Sequence, residues 1–372
     1  MNNHPPNFNT LFRPGTLSVQ PYSPGKPIEE VQRELGLEDI IKLASNEDPE
    51  GPRPEVIAAI QQAALEINRY PDGSCYTLTQ KLAHHLGVEP ESILLGNGSN
   101  ELLNMIVRAL ISPGENMVFA RPSFVVYDLA ASLHFECGRP VPLDEQDRHD
   151  LVAMAAAVDE KTKLMMICNP NNPTGTYCSA QAVKTLLDSV PRRVIVVLDE
   201  AYFEYAFAED YPDGLQFLAH YPNVVVARTF SKIHALAGVR VGYAVGHPDL
   251  IKQFQKTREP FNVNTLAQAG AIAALALPDA VAQRARRNRT EGKWLAEALL
   301  GLGFSVVPSQ ANFLFARHAL PAGELCARLL KLGVIIRPMS AFGLGDGAVR
   351  ITIGLPEENR RCIAALEEIL GH

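Results

Sequence analysis

The 372-residue sequence lacks the features of disulfide-stabilised, metal-binding and membrane-spanning proteins. Its six cysteines form no C-x-x-C pair and no histidine cluster has metal-ligand spacing, so we expect neither a disulfide framework nor a metal site. Scattered thiols fit a reducing compartment, and we expect a cytoplasmic protein. The N-terminal segment has no apolar stretch typical of a signal peptide, and the uncharged residues 260–278 contain too short an apolar run to span a bilayer.

Positive charge is also scarce. The chain has 34 Lys and Arg residues against 41 Asp and Glu residues, a net charge of -7, which excludes a broad basic surface for nucleic acid or an anionic membrane. Any bound anion must therefore be held by a few individually positioned Lys or Arg side chains. With 47% hydrophobic and 20% charged residues the composition is that of a globular protein, and the length suggests about two domains.

The sequence does have an alternation of short apolar runs with helix-length segments. Runs that are apolar on both faces, separated by segments such as Glu101–Ile111 and Ala180–Ser189, predict a mostly parallel α/β sheet. The expected strands of this sheet are Ile93–Leu95, Met117–Phe119, Leu164–Cys168, Val194–Leu198, Val224–Ala227 and Val241–Val245. The first 40 residues are rich in proline, which predicts an irregular arm with one short helix over Ile28–Leu35.

The pattern changes after residue 250, where a long helical region begins. Short strand candidates then surround the helix-like segment Glu324–Lys331, which predicts a smaller α+β domain. These strand candidates are Phe304–Val307, Asn312–Ala316, Val334–Arg337 and Val349–Ile353.

Polar residues follow several of the predicted strands, at the edge of an α/β sheet where ligands usually bind. Residues 96–100, GNGSN, precede a helix and could cradle a phosphate, or could simply form a turn with a helix cap. Residues 169–175, NPNNPTG, form a proline-stiffened loop that could present an asparagine to a ligand, or serve as a structural turn.

The later strand ends carry charged residues. Asp199 ends a buried strand and precedes Tyr202, so it either forms a core salt bridge or faces a protonated ring nitrogen. Lys232 also follows a buried strand and is a candidate imine-forming nucleophile, although most lysines are merely solvated. Thr229, Ser231 and Arg240 could hold a phosphate beside it. Arg337 and Arg350 could clamp a substrate anion or form surface salt bridges.

Taken in order, these features match the needs of pyridoxal 5′-phosphate, which requires a lysine, a carboxylate, donors for its ring oxygen and a phosphate cup. The chain also contains, in sequence, QPYSPGKP, KLASNEDPEGP, RYPDG, LLGNGSNELL, NPNNPTG, VLDEAY, TFSK, LAGVRVGYAVG, ANFLF, IIRP and VRITIGLPEEN. With these motifs it resembles the class I/II aminotransferases of fold type I, from about Tyr22 to the C-terminus.

The resemblance implies an α/β fold of three parts. These are an arm over residues 1–40 that makes dimer contacts, a large cofactor-binding domain over residues 41–260 with a mostly parallel seven-stranded sheet, and a small domain over residues 261–372. Tyr70 is similar to the tyrosine that reaches the cofactor phosphate of a neighbouring subunit, which implies a homodimer.

The resemblance also implies roles for individual residues around pyridoxal phosphate. Lys232 would form the Schiff base, Asp199 would pair with the ring nitrogen, and Tyr127 would stack on the ring. Tyr202 and Asn172 would bind the ring oxygen. The cofactor phosphate would be held by Ser99, Asn100, Thr229, Ser231 and Arg240, with Tyr70 from the neighbouring subunit. The substrate would meet Tyr22, Asn46, Arg337 and Arg350.

The implied reaction converts L-histidinol phosphate and 2-oxoglutarate to imidazole acetol phosphate and L-glutamate by ping-pong transamination. Aromatic amino acid transamination, threonine-phosphate decarboxylation and a non-catalytic ligand-binding role are the alternatives. The sequence departs from the family at Asp48, where asparagine is usual, at His234, which we expect to pack, and in the glycine-rich residues 338–349.

Overall fold

Seven strands, of which one runs against the rest, form the central sheet of the protein. The computed structural model describes residues 7–21 and 25–371, so the predicted substrate residue Tyr22 lies outside the described residues. In chain order the strands are β1 (Ile41–Lys42), β2 (Ile93–Gly96), β3 (Asn116–Arg121), β4 (Gly138–Pro142), β5 (Thr162–Cys168), β6 (Ile195–Asp199), β7 (Val224–Thr229), β8 (Gly242–Gly246), β9 (Ser305–Val307), β10 (Phe313–Arg317), β11 (Val334–Ile335), β12 (Arg337–Pro338) and β13 (Ala348–Thr352).

The helices lie between these strands and at the two ends of the chain. They are α1 (Pro14–Ser18), α2 (Ile28–Leu35), α3 (Pro54–Ala63), α4 (Tyr76–Leu86), α5 (Ser99–Leu110), α6 (Val125–Leu133), α7 (Leu151–Ala156), α8 (Ala180–Ser189), α9 (Pro248–Phe254), α10 (Thr265–Leu275), α11 (Pro278–Gly301), α12 (Ala322–Lys331) and α13 (Pro356–Leu370). Short 3-10 turns supplement them, among them Phe8–Leu11 in the N-terminal arm.

The large sheet has the order β2-β8-β7-β6-β5-β3-β4, and β8 is antiparallel to both neighbours. Successive residues of a strand point to opposite faces, so Met117 packs with α5 and α6 while Val118 packs with α7 and α8. Two apolar layers therefore cover the sheet and explain why its strands are apolar throughout. The predicted α/β fold with a mostly parallel seven-stranded sheet is confirmed.

The small domain is built on an antiparallel sheet of order β12-β13-β10-β9. Residues of α11, α12 and α13 pack against it in one apolar cluster. Strand β1 pairs in parallel with β11, and α10 packs against α3 and α4 of the large domain. The domain limits at residues 40 and 260 remain predictions.

The predicted strands of the large sheet agree with the structure to within two residues at each end. Strand β4 was not predicted, because Gly138, Pro140 and Pro142 disfavour a central strand, but β4 lies at the sheet edge where proline is tolerated. The predicted strand Val334–Arg337 is two short strands, β11 and β12, in different sheets. The arm is less irregular than predicted, since its described part contains α1 as well as the predicted helix α2.

Two further observations concern the described residues alone. No single helix there is long and apolar enough to cross a membrane, and only α10 and α11 taken together, across an 82° bend, reach the required length and composition. No group of three or more His, Cys, Asp or Glu side chains within residues 7–21 and 25–371 is arranged to hold a metal ion.

Candidate active site

Nine of the eleven predicted cofactor residues come together in a cavity of about 230 Å³ at the carboxyl ends of β5, β6 and β7. A larger cavity of about 840 Å³, beside His149 and Pro308, contains none of the predicted residues. The smaller cavity is lined by the predicted residues Asn46, Ser99, Asn100, Asn172, Asp199, Tyr202, Thr229, Ser231, Lys232, Arg240 and Arg350.

Lys232 stands three residues beyond the end of β7, on a turn fixed by the fully buried ring of Phe230. Its ammonium nitrogen lies 5.6 Å from the centre of the Tyr202 ring. Burial, together with the guanidinium groups of Arg350 and Arg240, lowers the pKa of Lys232 to about 8. A substantial fraction of this lysine is therefore the neutral, nucleophilic amine near neutral pH.

Asp199 ends β6 and is 1% exposed. Its Oδ2 accepts a 2.7 Å hydrogen bond from the Tyr127 hydroxyl, whereas its buried Oδ1 has no hydrogen-bond partner. Burial raises the pKa of Asp199 to about 6, although the Tyr127 hydroxyl and the Ala201 backbone N–H lower it. A buried carboxylate oxygen without a partner is costly, and it suits a cationic N–H group of a bound molecule.

The opposite end of the cavity is an anion cradle. The twelve-residue helix α5 begins at Ser99, so its N-terminal N–H groups and dipole favour negative charge there. Gly98, with φ of 79°, leaves space that a Cβ would take from the Arg240 guanidinium. Arg240 Nη1 donates to the Ser231 hydroxyl at 3.4 Å, and Thr229 Oγ1 lies 2.9 Å from the same hydroxyl. These groups form a cup suited to a phosphate.

A third wall of the cavity carries further polar groups. Arg350, on β13, donates from Nη1 to Asn172 Oδ1 at 2.5 Å and from Nη2 to the Ala44 carbonyl at 2.9 Å. Asn46 Nδ2 donates to the Tyr202 hydroxyl at 3.0 Å. Arg350 therefore joins the small domain to the Asn172 loop directly at the cavity.

Arg337 lies beside Arg350 because β12 and β13 are antiparallel and these two residues are register partners. It lines a small neighbouring space of about 40 Å³, which Asn172 and Arg350 also line. The two arginines thus approach the same region, and their contact with substrate anions stays a prediction.

Tyr70 lies outside the cavity that contains Lys232 in the same chain. Its side chain is 82% exposed and stacks on the ring of Phe261, with ring centres 4.7 Å apart. It instead lines a separate cavity of about 470 Å³ with Thr265 and Leu266. The structure therefore does not bring Tyr70 to the other predicted cofactor residues.

Tyr127, predicted to stack on the cofactor ring, does not line the cavity. Tyr127 is fully buried beneath the cavity and holds Asp199, whereas Phe124, three residues earlier, lines the cavity. The two rings meet edge to face with centres 5.9 Å apart. Both aromatic residues stand in the segment RPSFVVYDLA, about one helical turn apart, so the sequence alone allows either ring to face the cavity.

The departures from the family pattern are accommodated by packing. Asp48 is buried and faces the guanidinium groups of Arg284 (3.7 Å) and Arg287 (3.4 Å), so its extra charge is matched. Arg284 also donates to the carbonyl of Ile233, the residue after Lys232, at 2.8 Å. His234 packs on Phe230 with ring centres 4.8 Å apart and does not line the cavity. Sequence reasoning did not foresee Phe124, Glu47 and Cys168 in the lining, although Glu47 stands in the motif KLASNEDPEGP and Cys168 ends a predicted strand.

The cavity residues fit pyridoxal phosphate on three independent grounds. The unpartnered Asp199 oxygen suits a protonated ring nitrogen, the cup at Gly98 and Arg240 suits a phosphate, and the amine of Lys232 suits an aldehyde. These three groups lie in one cavity, at the strand ends where the sequence placed them.

Comparison with known proteins gives a consistent result. Residues 38–366 match the family model of aminotransferase class I and II. A histidinol-phosphate aminotransferase of Moorella thermoacetica is 47% identical over 362 residues, covering 96% of this chain and 93% of that protein. Histidinol-phosphate aminotransferase 2 of Pseudomonas aeruginosa is 44% identical and covers 98% and 99% of the two chains.

Solved structures are also similar. The crystal structure of histidinol-phosphate aminotransferase from Sinorhizobium meliloti in complex with pyridoxal-5′-phosphate has a TM-score of 0.87 and 31% identity, covering 97% of both chains. L-Threonine-O-3-phosphate decarboxylase from Porphyromonas gingivalis has a TM-score of 0.79 and 27% identity, covering 90% of this chain and all (100%) of that one.

Proposed function

Because this chain belongs to the aminotransferase class I and II family, we propose that it transfers the amino group of L-histidinol phosphate to 2-oxoglutarate, a step of histidine biosynthesis. The observation that carries the proposal is that Arg350, which lines the Lys232 cavity, is paired with Arg337 on the adjacent strand. Two guanidinium groups at this place suit substrates with anionic ends, and both phosphate and carboxylate bind arginine in a bidentate way.

The chain is a pyridoxal-phosphate-dependent aminotransferase, and bound pyridoxal phosphate supplies an electron sink for the pair released when the substrate C–H bond breaks. With the cofactor bound, Lys232 would take the proton from the substrate carbon as general base and would later release it as general acid. Asp199 holds a proton on the ring nitrogen, and Tyr127 orients Asp199. These roles are supported by a carboxylate at the end of β6 and an amine three residues beyond the end of the adjacent strand β7.

The remaining groups bind and orient. Ser99, Ser231 and Arg240 hold the cofactor phosphate, with Asn100 and Thr229 beside them. Tyr202 and Asn172 donate to the ring oxygen, and Phe124 covers the ring face that the sequence had assigned to Tyr127. Arg350 takes the phosphate of histidinol phosphate in one half-reaction and a carboxylate of glutamate in the other.

We propose that the active unit is a homodimer. Tyr70 is exposed and faces away from the cavity of its own chain, so a second copy of the chain is needed for it to reach a cofactor phosphate. The described part of the N-terminal arm also presents the exposed apolar residues Phe8, Leu11 and Phe12, which a second copy could cover. A cytoplasmic location agrees with the six free cysteines.

The test is a visible absorption titration of the cofactor-loaded protein with histidinol phosphate in the absence of any keto acid. We expect the band of the lysine-bound cofactor to disappear, imidazole acetol phosphate to form, and 2-oxoglutarate to restore the band. Release of CO₂ from threonine phosphate, or faster turnover of tyrosine than of histidinol phosphate, would instead assign one of the two alternative reactions. An unchanged band with every amino compound would contradict transamination itself.

A further inference from the structure

We propose that the ion pair between Arg317 and Asp147 positions Arg350 and Asn172 for substrate binding. Arg317 ends β10 of the small domain, and Asp147 lies in a turn of the large domain between Leu143 and His149. Neither residue lines the cavity that contains Lys232, so any effect they have on substrate must pass through other residues. The inference rests on the proposed function only for the choice of substrates.

The geometry of the pair is bidentate. Arg317 Nη1 donates to Asp147 Oδ2 at 2.8 Å, and Nη2 donates to Oδ1 at 2.6 Å. The Arg317 guanidinium also lies 4.5 Å from the centre of the Phe315 ring, so the side chain is held in place before it meets the carboxylate. The exposed fractions of the two side chains are 36% and 18%, which makes the pair partly shielded from solvent. A preorganised, partly buried bidentate pair is stronger than an ordinary surface ion pair.

From Asp147 a chain of hydrogen bonds leads to the loop that carries Asn172. The Thr176 hydroxyl donates to the Asp147 carbonyl at 2.7 Å, and the Thr174 and Thr176 hydroxyls lie 2.8 Å apart. Asn171 Nδ2 donates to the Thr174 hydroxyl at 2.9 Å. Asn172 is the next residue, so the position of the Asp147 turn is tied to the position of a cavity residue.

Asn171 is held from its other side as well. Its Oδ1 accepts a 2.7 Å hydrogen bond from the Ser123 hydroxyl and lies 3.1 Å from the ring Nε2 of His149. The side chain of Asn171 is therefore fixed by groups on three segments, and it transmits a displacement of the Asp147 turn rather than absorbing it.

From Arg317 the connection to Arg350 runs through the small sheet. Strand β10 pairs with β13, and Phe315, two residues before Arg317, is the register partner of Arg350. Arg350 then donates to Asn172 Oδ1 at 2.5 Å. The small sheet thus meets the 171–176 loop directly through Arg350 inside the cavity and indirectly, through Arg317 and the Asp147 turn, outside it. The segment before β10 also contacts this loop, since the Gln310 backbone N–H donates to the Gly175 carbonyl at 2.8 Å.

These contacts form a closed ring. The Arg317–Asp147 pair outside the cavity restricts how far the two domains can separate at the Arg350–Asn172 contact inside it. Loss of the outer pair leaves both domain cores intact, but it allows Arg350 and Asn172 to move apart in the free enzyme. Substrate binding must then restore their arrangement, and the cost appears as weaker binding of anionic substrates.

The experiment uses Arg317→Met, Asp147→Asn and the double variant of the cofactor-loaded enzyme. Asparagine tolerates the left-handed backbone at Asp147, where φ is 59°, so this variant keeps the turn. The matched control is Arg148→Met, which removes a pair with Asp144 that stays within the same turn and bridges no domains. The KM values for histidinol phosphate and for glutamate, kcat, and the denaturant unfolding midpoint are measured for each protein.

We expect both KM values to rise roughly three- to tenfold in either single variant, with kcat changed by less than about twofold. The double variant should be no worse than the single variants, because both changes remove the same contact. High salt should weaken substrate binding more in the wild type than in the variants, while the unfolding midpoints stay close to that of Arg148→Met.

Unchanged KM values in the single variants would overturn the inference, and so would additive effects in the double variant. It would also be overturned if KM in the variants changed only in proportion to the unfolding midpoint, with the same relation as in Arg148→Met. The proposed function fails separately, since wild-type turnover of histidinol phosphate tests it. If that turnover is absent, the glutamate KM still decides the role of the ion pair.

Discussion

The large-domain and small-domain walls of the active-site cavity are built in different ways. The large-domain wall consists of strand ends, and its key groups are nearly inaccessible, with Asp199 1% and Thr229 4% exposed. The small-domain wall is formed by Arg350, while Arg337 on the adjacent strand lines the neighbouring space; both project from an antiparallel sheet and are only half-buried. Buried groups at fixed strand ends suit the making and breaking of bonds. Longer, less buried side chains suit the binding of different substrate anions in the two half-reactions.

The first way to test this division is to remove the amine on the large-domain wall. Lys232→Ala should lower kcat by more than about 10⁴-fold, because nucleophile, general base and general acid are lost together. It should also abolish the visible band of the lysine-bound cofactor while the unfolding midpoint stays near that of the wild type. Turnover and absorption spectra check this expectation, and substantial turnover by the variant would remove the central assignment.

Removing a guanidinium from the small-domain wall should have a smaller and different effect. Arg350→Met should raise KM for histidinol phosphate and for glutamate by roughly 10- to 100-fold, the worth of a hydrogen-bonded charged group. The spectrum of the bound cofactor should be almost unchanged. Arg337→Met is the matched comparison on the adjacent strand, and we expect it to affect the phosphate substrate more than glutamate.

Steady-state kinetics with both amino donors measure this difference. If Arg350→Met weakened cofactor binding and left substrate affinity unchanged, the proposed difference between the two walls would be wrong.

The same division explains what the sequence could predict. Asp199 directly follows an apolar run and Lys232 stands five residues after another, and the topology of parallel sheets places such residues at one edge. Phe124 stands on a segment that enters α6, and only the three-dimensional direction of that segment decides whether Phe124 or Tyr127 faces the cavity. The contacts of Asp48 with Arg284 and of Asp147 with Arg317 join residues more than 150 positions apart, and no local pattern encodes them.

The third prediction concerns the aromatic residues of the large-domain wall. Phe124→Ala should weaken cofactor binding by roughly tenfold, because it removes a ring from the cavity lining. Tyr127→Phe keeps the buried ring and loses the 2.7 Å hydrogen bond to Asp199. It should therefore lower kcat with little change in cofactor affinity. Equilibrium dialysis and kcat distinguish the two variants, and the reverse pattern would restore Tyr127 as the stacking residue.

The smallest expected effect is the electrostatic influence of Arg350, in the small-domain wall, on the pKa of Lys232 in the large-domain wall. The pKa of Lys232 is lowered to about 8 by burial and by Arg350 and Arg240, so its neutral fraction rises as the pH passes through 8. The rate at which cofactor-free protein takes up pyridoxal phosphate should rise over the same interval, well below the ordinary lysine value of 10.5. In Arg350→Met one of the two lowering charges is gone, so the midpoint should move to higher pH. Arg337→Met should move it less, because Arg337 does not line the Lys232 cavity. Absorption-monitored reconstitution across this pH range measures both midpoints, and identical midpoints in all three proteins would show that the small-domain wall acts on the substrate alone.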